Sequence, residues 1–204
     1  MRIAAIALSM STVALCTMLP AVVSAQATDP ALVPVDSLDA GLIATMKAGK
    51  RAGMHGRTAT IGPVVDRAFD LPLMTRLAVG SAWNGFAPAD QTALVAAFRR
   101  LTVAQYASNF DGFSGQTIRI DPRVEARGGD KLVRTTLAGP GDEPVAIAYR
   151  LRQAGGGWRI IDVFYKNEIS QLATRRSDFT RVLGTGGAKA LIANIGAQAA
   201  KVGG

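Results

Sequence analysis

Cysteine and histidine are almost absent from this 204-residue chain, which has one of each. The cysteine, Cys16, lies in the apolar segment at the N-terminus, so the rest of the chain has no thiol for a disulfide or a nucleophile. The histidine, His55, stands in a Gly-Met-His-Gly segment that predicts an exposed loop. A multi-histidine metal centre is therefore excluded, and a Ser-His-Asp triad would have to use His55. We predict no metal site, no cofactor and no catalytic residue.

Acidic residues are also scarce, since 15 Asp and Glu stand against 23 Lys and Arg and the formal net charge is +8. An excess of positive charge favours contact with an anionic surface. The chain has no long Lys/Arg run and no basic segment with interleaved aromatic residues, so nucleic acid is not the expected partner. A membrane headgroup surface is the better candidate. The alternative is that the charge serves solubility alone.

The N-terminal apolar run is short for a membrane span. It follows Met1-Arg2 and ends in Val23-Ser24-Ala25, the small-x-small pattern of a signal-peptidase site. We predict a cleaved secretory signal at 1–25, a flexible N-terminus at 26–35 and one domain at 36–204, located in the periplasm. The alternative is an uncleaved N-terminal anchor. Lipidation is not expected, because Leu15 precedes Cys16 where a lipoprotein site has a small residue.

Apolar residues in the first half of the chain recur at helical spacing. Asp36-Ser37 predicts the N-cap of a first helix, and residues 50–57 predict a basic loop. Gly62-Pro63 is expected to open a second helix, which Asp70-Leu71-Pro72 breaks before a third. Pro88 predicts the start of a long fourth helix. Helices are expected again at 169–183 and 188–200, with Gly184-Thr185-Gly186-Gly187 as the turn between them.

Between these helices the pattern changes to a period of two. Strands are predicted at 117–121, 131–137, 145–152 and 158–166, with a further pairing segment at 124–127. The order of elements indicates an α+β fold, with a curved antiparallel sheet of about four strands between N-terminal and C-terminal helices. The last strand is apolar on both faces, so one face is expected to meet packed helices. The other meets either a filled core or a cavity.

Several segments, taken in order and spacing, resemble the toluene-tolerance/MlaC family. They are Pro63-Val64-Val65-Asp66-Arg67-Ala68-Phe69-Asp70-Leu71-Pro72, Gly80-Ser81-Ala82-Trp83, Pro88, Phe98-Arg99, Tyr106, Trp158-Arg159-Ile160-Ile161-Asp162-Val163, Ile169-Ser170 and Asp178-Phe179. The resemblance runs roughly over residues 36–195. The Gly- and Ala-rich texture is also similar to the hopanoid-associated HpnM-type branch of this family.

The resemblance implies a soluble periplasmic lipid carrier of the Mla pathway type, with an NTF2-like sheet and added helices around an apolar cavity. It implies a phospholipid or hopanoid ligand, an inner-membrane MCE/ABC transporter as partner, an outer-membrane lipoprotein as a further partner, and transient contact with a membrane surface. No family catalytic residues exist to transfer to this chain. The expected protein is therefore not an enzyme.

Period and position indicate which apolar side chains would line such a cavity. The candidates are Leu77, Leu94, Phe98, Leu101, Tyr106, Val145, Ile147, Tyr149, Ile161, Val163, Tyr165 and Ile169. The alternative for each is an ordinary filled core. Headgroup contacts are expected from bases at the rim, namely Lys47, Lys50, Arg51 or Arg57, whose alternative is a solvated face.

Two other functions stay open at this point. Asp162 is a lone acid on an apolar strand, which is the arrangement of a general base in a small enzyme of ketosteroid-isomerase-like shape. Its alternative is a structural carboxylate bonded to backbone N–H groups or an arginine. The chain can also be an adaptor that holds no ligand, which predicts a packed core and an exposed apolar patch.

Overall fold

The computed structural model describes residues 28–203. The predicted signal segment 1–25 and Cys16 lie outside the described residues. Within them, the helices are α1 (Leu32–Ala48), α2 (Gly53–Ala68), α3 (Leu71–Val79), α4 (Pro88–Asn109) and α5 (Gln171–Gly203), with short 3₁₀ turns at Lys50–Ala52 and Gly80–Gly85. The strands are β1 (Thr117–Ile120), β2 (Glu125–Arg127), β3 (Asp130–Ala138), β4 (Val145–Ala154), β5 (Gly157–Tyr165) and β6 (Ile169–Ser170).

The first helix begins earlier than predicted. Leu32 starts α1, so the proposed domain boundary at residue 36 lies inside this helix. Ala31 and Val35 are both completely buried in the core. The prediction of a flexible segment reaching residue 35 is therefore wrong for this part. Hydrophobic burial outweighs the helix-start signal of Asp36, which is an exposed residue of α1.

The predicted loop at 50–57 is also wrong. This segment forms a 3₁₀ turn and then the first turns of α2, with His55 exposed on the helix. Pro63, expected to open a helix, lies inside α2. The glycines at the start of α2 lower its intrinsic helix propensity. Burial of the face of α2 that includes Arg57, Ile61 and Val65 outweighs this weak preference. Arg57 is only 7% exposed, so it belongs to this buried face rather than to the surface.

Two other helix starts are as the sequence predicts, whereas the helix predicted from residue 169 begins at Gln171. The Asp70 side chain accepts a hydrogen bond from the Leu73 backbone N–H at 2.9 Å and caps α3. Pro88 occupies the first turn of α4, where its missing N–H costs no helical hydrogen bond. Gly187 interrupts α5 with φ of 62° and ψ of −156°, a backbone shape that favours glycine. The turn predicted at 184–187 is therefore limited to this residue, since residues 184–186 continue the helix.

The six strands form one antiparallel sheet in the order β1-β3-β4-β5-β6, and β2 also pairs with β3. This confirms the α+β class; β2 corresponds to the pairing segment predicted at 124–127, and the short strand β6 is additional. Helices α1 to α4 precede or flank the sheet, and α5 returns across it to pack on α4 and β5. Helices α1 and α2 approach closely at Gly41, where an added Cβ would lie 2.7 Å from the Val64 Cγ1 atom.

A β-bulge changes which face of the sheet the side chains of β5 point to. Tyr149 pairs with Val163 and Arg150 pairs with Asp162, but Leu151 pairs with Ile160, so Ile161 is the extra residue. Strict alternation predicts Ile161 on the same face as Val163. The bulge breaks that alternation, and Ile160 takes the place opposite Leu151. Both isoleucines are nearly inaccessible to solvent.

None of the helices found between residues 28 and 203 combines the length and the hydropathy needed to cross a bilayer.

Candidate functional site

A cavity of about 540 Å³ lies between the inner face of the sheet and the helices. Its volume is within the roughly 300–1,000 Å³ range of small-molecule sites. Strands β3, β4 and β5 contribute one wall, and α4 and α5 contribute the other. The lining comprises Leu42, Phe69, Met74, Phe98, Thr102, Gln105, Tyr106, Asn109, Phe110, Leu137, Val145, Ile147, Tyr149, Val163, Tyr165, Gln171, Leu172 and Arg175.

Seven of the twelve residues predicted to line a cavity are in this lining. They are Phe98, Tyr106, Val145, Ile147, Tyr149, Val163 and Tyr165. The period-two pattern of β4 found three of them, because side chains two residues apart share one face of a strand. Two come from the part of β5 beyond the bulge, and two from α4. Their contact with a ligand remains a prediction.

The structure places the other five elsewhere. Leu94 and Leu101 are almost fully buried in the core, and Ile161 lies at the bulge, also buried. Leu77 is half-buried on α3. Ile169 is 51% exposed on the short strand β6 rather than in a helix. The three helical positions, Leu77, Leu94 and Leu101, show that an apolar residue at helical spacing meets either the packed core or the cavity, depending on its angle around the helix.

An aromatic row crosses the cavity wall. The ring centroids of Phe69 and Tyr106 are 5.8 Å apart, and those of Tyr106 and Phe110 are 6.0 Å apart in a stacked arrangement. Aromatic pairs at these distances add to the stability given by burial. Sequence reasoning identified Tyr106 alone as lining. Phe69 and Phe110 were missed, because each is the residue just after a helix and helical periodicity does not assign it a face.

Polar side chains form one edge of the cavity. Thr102, Gln105 and Asn109 follow one another along α4 at spacings of three and four, so they share a face of that helix. Gln171 and Arg175 stand opposite on the first turns of α5. The cavity is therefore amphipathic, with an apolar wall on the sheet and a polar edge between two helices. The 3–4 spacing on α4 was a readable signal for this edge.

Arg175 is the charged member of this lining among the described residues. Its Nη2 atom donates a hydrogen bond to the Gln105 side-chain oxygen. Burial lowers the pKa of Arg175, and the nearby Asp178 carboxylate opposes that shift more weakly. The guanidinium nevertheless stays charged at any physiological pH.

A second buried polar group, Asp39, lies on α1 close to Tyr106 and Tyr149. Asp39 is 6% exposed, and within residues 28–203 neither of its carboxylate oxygens has a hydrogen-bond partner. Burial raises the pKa of Asp39 to about 7, and the negative charge of Asp36 adds to the shift. Burial also raises the pKa of both tyrosines, with the Asp39 charge as a lesser cause. The uncharged form of Asp39 is therefore favoured below about pH 7.

Asp162 does not lie in the cavity lining. Its carboxylate accepts hydrogen bonds from the backbone N–H groups of Val163 at 2.8 Å and Leu172 at 3.0 Å, and from the Ser170 hydroxyl at 2.6 Å. These bonds join β5, β6 and the start of α5. The carboxylate is structural, so the hypothesis of a general base loses its geometric basis. The part of the chain covered by the structure brings no three His, Cys, Asp or Glu side chains together as a metal site.

The predicted rim bases have different environments. Lys47 is exposed and its ammonium lies 5.2 Å from the centroid of the Phe113 ring, and Lys50 is a surface residue 4.0 Å from Asp111. Arg51 is exposed. Arg57 was wrongly assigned to the rim: its Nε donates to the Ala107 carbonyl at 2.7 Å and its Nη1 to the Gly49 carbonyl at 3.1 Å. It joins α2 to the ends of α1 and α4.

Comparison with known proteins identifies the family. The family described as MlaC protein matches residues 37–197. A phospholipid-binding protein from Ralstonia solanacearum, solved in complex with a phospholipid, is similar in structure with a TM-score of 0.71 and 25% sequence identity, over 84% of this chain and 98% of that one. No curated protein matches this chain. With nearly the whole described domain matched in sequence and the same α+β architecture in the solved relative, the chain belongs to the MlaC family.

Proposed function

We propose that this protein is a periplasmic lipid carrier that holds the apolar chains of a phospholipid in its cavity and moves the lipid between membranes. The observation that carries the proposal is the amphipathic cavity of about 540 Å³ in a member of the MlaC family. The related Ralstonia protein, solved with a phospholipid, supports the choice of ligand. The signal segment predicted at 1–25 supports the location.

The physical need for such a carrier follows from lipid solubility. Each methylene removed from water is worth about 0.8 kcal/mol, so two acyl chains of roughly thirty methylenes would cost on the order of 24 kcal/mol in open water. Free lipid therefore does not cross an aqueous compartment at a useful rate. A protein cavity with an apolar wall replaces the bilayer during the crossing. A cavity that retains lipid well also needs partners for unloading, for which an MCE/ABC transporter and an outer-membrane lipoprotein are the candidates.

The surroundings of the cavity support contact with a membrane surface. A groove of about 520 Å³ adjoins it, shares Asn109, Phe110, Leu137 and Val145 with it, and includes Phe113 beside Lys47. Tyr165, which also lines the cavity, is 43% exposed, and the ammonium of Lys166 lies 5.8 Å from the centroid of its ring. Aromatic residues with lysines are common where proteins meet the headgroup region.

The direct test is native mass spectrometry of protein purified from cells without detergent, followed by solvent extraction and lipid analysis. A stoichiometric adduct that releases phospholipid is the expected result, and release of a hopanoid would indicate the HpnM-type branch. Transfer is tested with donor vesicles of labelled phospholipid and unlabelled acceptor vesicles. Bare protein from cells, together with no gain in transfer over vesicles alone, would refute the proposal and favour the ligand-free adaptor.

A further inference from the structure

Arg175 lies at the polar edge of the cavity. The side chains on the sheet side of the cavity are apolar or tyrosine, whereas the edge between α4 and α5 has amides and this one guanidinium. Gln171 is exposed and Arg175, one helical turn later, is half-buried. One turn corresponds to about 5–6 Å along the helix, so Arg175 follows the exposed Gln171 at about that distance along this edge and is the less accessible of the two.

The hydrogen-bonding capacity of Arg175 is largely unused. A guanidinium has five N–H donors, and across the described residues only the Gln105 side-chain oxygen accepts from Arg175. No salt bridge to Arg175 is found there either, and the nearby Asp178 is bonded to Arg181 at 2.6 Å. A half-buried cation that is unpaired pays a desolvation cost that an anion can offset.

We propose that Arg175 binds the phosphate of a lipid whose chains occupy the cavity, so that the protein selects phosphate-bearing lipids over neutral ones such as hopanoids or diacylglycerol. The inference rests on the proposed function. The planar fork of arginine matches two oxygens of a phosphate group. Gln105 orients the fork from the opposite helix, and the amides of Asn109 and Gln171 lie on the same edge nearer the solvent.

The experiment is a competition between two lipids with identical chains. Purified protein is incubated with vesicles that contain equal amounts of dioleoyl phosphatidylglycerol and dioleoylglycerol, and native mass spectrometry gives the ratio of the two adducts. Wild type should prefer the phospholipid. Arg175→Gln should lower the ratio about tenfold, the size expected for loss of a charged hydrogen bond. Arg175→Lys should fall between them, because the charge stays but the fork is lost.

The matched control is Arg176→Gln, which removes the same charge from the exposed neighbouring position. Its lipid ratio should equal that of wild type. The inference would be overturned if Arg175→Gln still binds lipid, melts at the same temperature as the control and shows an unchanged lipid ratio. The proposed carrier function would not be affected by that result. If Arg175→Gln fails to fold, the ratio in Arg175→Lys decides in the same way. Wild type that binds neither lipid would refute the proposed function, and this inference with it.

Free phosphate is the other source of the same chemistry. Lipid-free protein is therefore examined with inorganic phosphate alone. A phosphate adduct that Arg175→Gln abolishes, in protein that shows no preference between the two lipids, would assign the site to the free anion and overturn selection of lipid. Absence of such an adduct, with the lipid preference present, supports the proposal.

Discussion

The Ser170 hydroxyl donates a 2.6 Å hydrogen bond to the Asp162 carboxylate, and this bond joins β5 to the end of β6, directly before the helix α5 that lines one side of the cavity. The same hydroxyl accepts from the Ala173 backbone N–H at 2.9 Å and thereby caps α5. Arg175, one turn further along, is positioned by this start of the helix. Asp162 therefore has a structural role at the junction of β5, β6 and α5.

The Asp162–Ser170 pair should be coupled in stability. Asp162→Ala removes the acceptor of two partly buried backbone N–H groups, so we expect the free energy of unfolding to fall on the order of 3 kcal/mol. Ser170→Ala removes the cap and should cost about 1 kcal/mol. The double variant should lose less than the two single effects together, because both remove one shared bond. Urea unfolding of the three variants measures the coupling, and Glu168→Gln at an exposed position is the control. If the effects of the two single variants add up to that of the double variant, the two residues are not coupled.

Filling the cavity should displace lipid without unfolding the protein. Val163 lines the cavity on β5 and is half-buried, so Val163→Trp places an indole in the space proposed for acyl chains. The matched control is Thr136→Trp, an exposed position on the neighbouring part of the same sheet and outside this lining. We expect the lipid adduct to be lost in the first variant and kept in the second. A folded Val163→Trp protein with its full lipid content would show that the cavity is not the lipid site.

Arg57 should matter for stability and not for lipid. Its hydrogen bond to the Ala107 carbonyl is buried and its bond to the Gly49 carbonyl is partly buried, so Arg57→Leu should lower the free energy of unfolding by about 2–3 kcal/mol. The control is Arg51→Leu, an exposed base six residues earlier, which should change stability little. Lipid content per folded molecule should match wild type in both. A stable Arg57→Leu protein that has lost its lipid would restore the headgroup role predicted from the sequence.

Asp39 should make the protein less stable as the pH rises. The folded-state pKa is about 7, above the ordinary value of 3.8, so the folded protein holds the proton more tightly than the unfolded chain. The contribution of Asp39 to the free energy of unfolding is fully present below about pH 4 and is lost progressively as the pH rises to about 7. Its upper bound is on the order of 4 kcal/mol. The measurement is the difference in unfolding free energy between wild type and Asp39→Asn across this range.

The exposed Asp36 provides the control for that titration, because it lies on the same helix and its negative charge raises the pKa of Asp39. Asp36→Asn should lower the Asp39 midpoint slightly and keep the slope. If the stability difference between wild type and Asp39→Asn does not vary with pH, the carboxyl of Asp39 is not protonated in the folded protein.

Strong local patterns in the sequence predicted much of the fold. The alternation in β4 placed Val145, Ile147 and Tyr149 on one face, and that face lines the cavity. Pro88 and Asp70 marked helix starts because the proline ring and the Asp70 side-chain oxygen each act within the first helical turn. The failures are where burial outweighs local preference. The glycine-rich segment at 50–57 is helical because α2 packs against α1 and α4.

The sequence alone determined the class of the protein. The helix–sheet–helix order, the scarcity of cysteine and histidine, and the ordered motifs of the MlaC family can all be recognised from local patterns or from composition. Only the tertiary structure decided which side chains meet in the site. The bulge at Ile161 depends on pairing between two strands, and the burial of Arg57 and Asp39 depends on how helices cross. The position of Arg175 at the polar edge requires α5 to return 70 residues later beside Gln105. Such encounters depend on packing between distant segments, which no local pattern of residues specifies.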